Sequence, residues 1–165
     1  MPQLADFDFG VEGPVQAEVF VLWLGDTGIN LTGPCGPEGW YIELGEDDDP
    51  VEVVTRLVRS NVGEPVVVHS TSWRRSRDAV ILSFVVVIGA ELGSTMESAP
   101  VGRAELARST ATAAPPSIET TQVVEHGLRH LAWLVRDDLV VRSELGAAWA
   151  ELLKDYVPEP FQNLR

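Results

Sequence analysis

From Ala17 to Leu24 the chain reads AEVFVLWL and then stops at Gly25-Asp26-Thr27-Gly28. β-Branched and aromatic residues closed by turn formers predict a strand and its turn. Ile29–Thr32 reads as a short return strand and Trp40–Leu44 as another. The segment between them, Gly33–Gly39, holds three glycines and two prolines in seven residues, which predicts a loop. After the acidic turn at 45–49 the period changes. Val51, Val54, Leu57 and Val58 recur at helical spacing. Asp49 supplies the N-cap, Pro50 suits the first helical position, and Gly63 is a natural stop. Pro65–Thr71 and Ala79–Ile88 predict two strands, with the polar run Ser72–Asp78 as the hairpin loop between them. The second of these strands is apolar on both faces, as expected of a central, covered strand.

Residues 92–117 are dominated by Ser, Thr, Ala and Pro and predict a linker or mobile loop, with a short helix around 103–108. Beyond them Val124, Leu128, Leu131 and Val135 step by three and four, and Val141, Leu145, Trp149, Leu152 and Tyr156 do so again after Asp137-Asp138. Two amphipathic helices with a short link predict an antiparallel hairpin. The expected fold is therefore α+β: a small mixed or antiparallel sheet of four to six strands packed on the helix 50–62. The expected organisation is a flexible arm at 1–15, an α/β core at 16–91, the linker at 92–117, and a helical segment at 118–165. That last segment packs on the core or on another subunit, which makes a homodimer an expectation.

Charge narrows the functional classes. Twelve Lys plus Arg against 25 Asp plus Glu give a net charge of -13. The average field repels a phosphate backbone and an anionic membrane surface, so neither nucleic acid nor membrane is expected as partner. The N-terminus has no basic and apolar leader, and the longest apolar run, Ala79–Ala90, is shorter than the ~20 residues of a spanning helix. A cytoplasmic protein is expected. One cysteine, Cys35, makes neither an internal disulfide nor a cysteine-rich metal site. The acidic run Glu43 to Glu52 lacks the alternation of a calcium loop. No metal and no cofactor is expected.

The order strand, acidic turn, amphipathic helix, glycine, hairpin over residues 17–90 resembles the Nudix family. The family's box is G-x5-E-x7-R-E-U-x-E-E-x-G-U, with U apolar. Ile42-Glu43-Leu44-Gly45-Glu46 is similar to the turn before the box helix, and Trp40 to a tryptophan common upstream of it. Arg56, Val58 and Gly63 fall at the box's R, U and final G. Leu57, Ser60 and Asn61 stand where the family has glutamates, Glu64 takes the closing apolar place, and the first glutamate of the box corresponds to Glu46 or Asp48. Magnesium requires such carboxylates to stay beside a phosphate. The resemblance therefore implies a Nudix-like fold with a degenerate site that has lost hydrolysis.

His69-Ser70-Thr71-Ser72-Trp73 resembles the H-x-T-x-apolar motif of two-histidine phosphoesterases, in which paired histidines act as acid and base and hydroxyls hold the phosphate. The sequences after His126 and His130 do not repeat the motif. Arg74, Arg75 and Arg77 beside His69 form a concentrated basic patch, and arginine forks grip carboxylates or phosphates bidentately. The expected function is a non-catalytic intracellular binding or regulatory module. Its anion site consists of His69, Trp73, Arg74 and Arg75, and its partner is a protein or a small anionic ligand. One competing reading is a phosphoesterase or divergent nucleotide hydrolase using His69, Thr71 and Ser72. Another is a structural oligomeric subunit.

Overall fold

The computed structural model describes residues 13–106 and 118–158. The expectations for the arm at 1–12, for 107–117 and for the last seven residues lie outside that range. The fold is α+β, a six-stranded mixed sheet with four helices. In chain order the elements are β1 (Val15–Gly25), β2 (Gly28–Thr32), β3 (Trp40–Leu44), α1 (Pro50–Asn61), β4 (Pro65–Ser76), β5 (Ala79–Ile88), α2 (Ala90–Gly93), β6 (Ser98–Pro100), α3 (Thr120–Asp137) and α4 (Leu139–Leu153). The sheet order is β4-β5-β1-β2-β6, with β3 also on β1. β2 and β3 lie end to end along one side of β1, pairing with Gly25 to Val21 and with Val19 to Val15. The loop 33–39 leaves this line opposite Phe20. Gly39 is held so near the Phe20 ring that a Cβ there would lie 3.0 Å from Cε1.

β1 and β5 pair in parallel and form the centre. Their side chains alternate between two cores. Ala17, Val19, Val21, Phe84, Val86 and Ile88 pack against Val54 and Val58 of α1. Phe20, Leu22, Val85 and Val87 pack against Leu128, Leu131 and Val135 of α3 and Leu145 and Trp149 of α4. The sheet is thus sandwiched between α1 and the C-terminal hairpin. The hairpin covers the chain's own sheet.

Local signals explain most boundaries. The Asp49 carboxylate accepts from the amides of Val51 and Glu52, and Gly63, at φ 148, donates to the Val58 carbonyl where α1 ends. Asp138 repeats the device for α4, accepting from Val140 and Val141. Two expectations require correction. The run 72–78 is not a loop, because β4 continues to Ser76 and the turn is only Arg77-Asp78. Those residues are polar because β4 is an edge strand with one solvated face, so polarity there did not demand a loop. Part of the supposed linker is also structured: Ser98–Pro100 adds to β2 as β6, and Val101 donates to the Ile29 carbonyl. No helix among the described residues is long and apolar enough to cross a membrane.

Candidate functional site

β4 carries every residue of the expected anion site, and a β-bulge decides where each one faces. The register runs His69 opposite Val85, Ser70 opposite Phe84, then Ser72 opposite Ser83 and Arg74 opposite Ile81. Thr71 is the extra residue. In an unbulged strand His69, Thr71, Trp73 and Arg75 would share a face. The bulge re-aims everything beyond it. His69 and Arg74 consequently face the α3 side, and Trp73 and Arg75 face the α1 side. The four expected site residues divide into two pairs on opposite faces.

On the α3 side Arg74 is already engaged. Its two terminal nitrogens donate to the two oxygens of Glu18, and Nη1 also reaches the Ser83 hydroxyl at 3.2 Å. Ser83 donates to Glu18 at 2.6 Å. Glu18 is 1% exposed in the middle of β1, so this carboxylate sits in the core only because a bidentate cation and a hydroxyl satisfy it. The bond to Glu18 raises the Arg74 pKa further. Tyr41, opposite Glu18 on β3, has its hydroxyl pKa raised by burial and then by the Glu18 charge. The guanidinium expected to hold an external anion holds an internal one.

His69 meets the helices. Its Nε2 lies 3.2 Å from Nδ1 of His130 on α3, and the His126 ring stands edge-on to His130 with centroids 4.6 Å apart. All three histidines of the chain therefore form one cluster between β4 and α3. Burial lowers the His69 pKa. Burial, then the His126 and His69 charges, takes His130 down to about 4. His69 and His130 are thereby held neutral at pH 7, one ring donating to the other. The Thr71 hydroxyl donates to the Ser83 carbonyl at 3.2 Å inside the sheet, so the group expected to hold a phosphate is turned inward. One turn earlier on α3, Glu125 is fully buried and accepts from Arg103, Arg129 and the Ala104 amide. Burial pushes its pKa up, but those bonds outweigh it and the net direction is down.

On the α1 side nothing comparable restrains the exposed groups. Trp73 is 65% exposed and Arg75 stands exposed beside it. Arg77 follows at the hairpin tip with φ 53, the one non-glycine with positive φ among the described residues. Neither Arg75 nor Arg77 has an ion-pair partner among the described residues. On the box helix, Asn61 donates to the Leu57 carbonyl, Leu57 packs on the α1-side core, and Glu64 pairs with Arg59 at 2.5 Å. Among the described residues no group of three His, Cys, Asp or Glu side chains is placed to hold a metal ion. Cys35 is exposed.

Sequence reasoning missed Glu18, Glu125 and the histidine cluster. Glu18 had a visible signal, a lone acid inside an apolar strand. His126 and His130 had another, the i, i+4 spacing that puts both on one side of a helix. No protein-family model matches the chain, and no curated protein matches it.

Proposed function

We propose that the chain is a non-catalytic binding module of the cytoplasm that takes an acidic segment of a protein partner. Binding occurs on the solvent side of β4, through Trp73, Arg75 and Arg77. The observation that carries this reading is the presentation of those three side chains. A large exposed aromatic and two arginines without ion-pair partners among the described residues line the edge strand and its tip, in a chain of net charge -13. Arg56 on α1 and Arg142 on α4 also lack ion-pair partners among the described residues, but Arg75 and Arg77 differ from them in standing beside the exposed Trp73. Arg77 adds a second support. A two-residue hairpin turn with positive φ at its first position favours glycine, and a side chain there costs roughly 1–2 kcal/mol. Retaining arginine at that cost favours a use for its guanidinium.

The expected anion site is retained in part. Trp73 and Arg75 remain its centre, Arg77 joins them, and His69 and Arg74 serve the interior instead. The Nudix-like reading fits the same proposal: α1 presents Leu57, Ser60 and Asn61 at the positions of the family's glutamates, so this module grips and does not cleave. Isothermal titration with an oligoglutamate peptide tests it. Binding that weakens with salt and disappears in Arg75→Ala/Arg77→Ala supports the reading. Turnover of a nucleotide or cyclic phosphate that is lost in His69→Ala would replace it with the enzymatic one.

A further inference from the structure

We propose that His69, His126 and His130 form an acid-sensitive latch, closed when the rings are neutral, that holds the C-terminal hairpin α3–α4 on the sheet. The latch lies across an interface. His69 belongs to β4, His126 and His130 to α3, and the direct contact is the 3.2 Å approach of His69 Nε2 to His130 Nδ1. That contact needs one N–H and one lone pair. Two neutral imidazoles supply them. A first added proton places a cation where both rings are largely buried. A second removes the remaining lone pair and sets two N–H groups and two like charges against each other. His126 stands edge-on to His130, where a charge on it would oppose one on His130.

Among the described residues, the surroundings offer a charge on His69 or His130 little relief. On α3, the neighbouring carboxylate Glu125 is held by Arg103 and Arg129. On β4, Arg74 is bound to Glu18 of β1. β5 contributes Val85 and Ser83 opposite this stretch, neither of which titrates in the range concerned. The charged residues of α4, Arg142, Glu144 and Glu151, and Lys154 just after it are all exposed. Beyond β6, Arg103 and Glu105 are the charged residues nearest α3 in the described chain; Arg103 serves Glu125, and the Glu105 carbonyl accepts from Gln122. The charges that act on His130 are those of His126 and His69, both of its own sign when protonated.

The two faces of the sheet differ in this respect. The core between α1 and the sheet is built of Ala, Val, Leu, Ile, Phe and Trp, and none of the buried carboxyl or imidazole side chains among the described residues, Glu18, Glu125 and His130, lies on that face. The core on the other face is bordered by Glu18, Glu125, His69 and His130. Acid therefore loosens the hairpin and leaves α1 in place. Release uncovers Phe20, Leu22, Val85 and Val87, an apolar strip buried at neutral pH.

The test uses the full chain. Proton NMR follows the three imidazole Cε1–H signals from pH 8 to pH 4, and amide exchange, expressed as protection factors, is measured at pH 7.5 and pH 5. His69 and His130 should titrate below the ordinary value of ~6.5. Protection in α3 and α4 should fall about tenfold or more between the two pH values, while α1 keeps its protection. In His69→Gln/His130→Asn, which keeps polar groups but removes the titration, the fall should be about twofold or less. Three independent titrations near ~6.5 would overturn the proposal. So would simultaneous loss of protection in α1 and α3, or a double variant as acid-sensitive as the parent. If that variant does not fold, the titrations and exchange of the parent chain decide alone.

Discussion

Arg74 reaches from β4 past β5 to Glu18 on β1, 56 residues away in sequence, and closes both of its terminal nitrogens on that carboxylate. The pair ties three strands together on a face where the strand pattern alone would place an apolar residue. Breaking it from one side leaves a charge buried without a partner. Arg74→Ala is expected to lose about 3–5 kcal/mol. Replacing both partners with apolar residues of similar volume, Glu18→Leu with Arg74→Met, should recover most of that. Urea unfolding of the three variants measures it. A loss below ~1 kcal/mol in Arg74→Ala would show that the pair does not govern this region.

Gly127 sets how closely α3 can approach the sheet. A Cβ there would lie 2.3 Å from Cγ1 of Val85. Helix propensity favours alanine over glycine by about 1 kcal/mol, and overpacking costs about 1–3 kcal/mol, so the two effects oppose each other. Gly127→Ala is expected to destabilise on balance. Gly127→Ala/Val85→Ala should be more stable than Val85→Ala alone, because the clash has gone while the propensity gain remains. Denaturation midpoints with unchanged slopes would establish this, and a stabilised single variant would refute it.

Much of the fold could be read from the chain because its signals are local. Asp49-Pro50 and Asp138 mark helix starts by chemistry that acts within three residues, and the near-continuous apolar run of β5 marks a strand covered on both faces. The site was less legible for a physical reason. A bulge at Thr71 reverses the facing that simple alternation from His69 would give Trp73, Arg74 and Arg75, and no composition rule announces a bulge. The pairing of Glu18 with Arg74, and of His69 with His130, spans 56 and 61 residues. Such partners are chosen by sheet register and helix docking, which a single sequence does not display.

The pH dependence of stability follows from the direction of the histidine shifts. His130 has a folded pKa of about 4 against 6.5 for the free side chain. As its folded value is depressed, its contribution is fully present above pH ~6.5 and is lost as pH falls from there towards ~4. Complete loss amounts to about 3 kcal/mol. His130→Gln should flatten the stability profile over this window. Equal slopes for parent and variant in urea titrations across it would contradict the assignment.

Arg77 separates strain from use. Arg77→Gly removes a side chain from a residue at φ 53 and should stabilise the hairpin by up to about 1 kcal/mol. The same change should weaken binding of an acidic peptide several-fold. Opposite signs in the two assays are the expected outcome. A variant that is more stable and binds as well as the parent would make Arg77 an ordinary turn residue.

The most direct test of the central claim is a calorimetric titration of the full chain with oligoglutamate at two salt concentrations, monitored in parallel by Trp73 fluorescence. The account predicts saturable, salt-weakened binding that Arg75→Ala/Arg77→Ala abolishes while the unfolding midpoint stays unchanged. Binding that is absent, or that the double variant leaves intact, would contradict it.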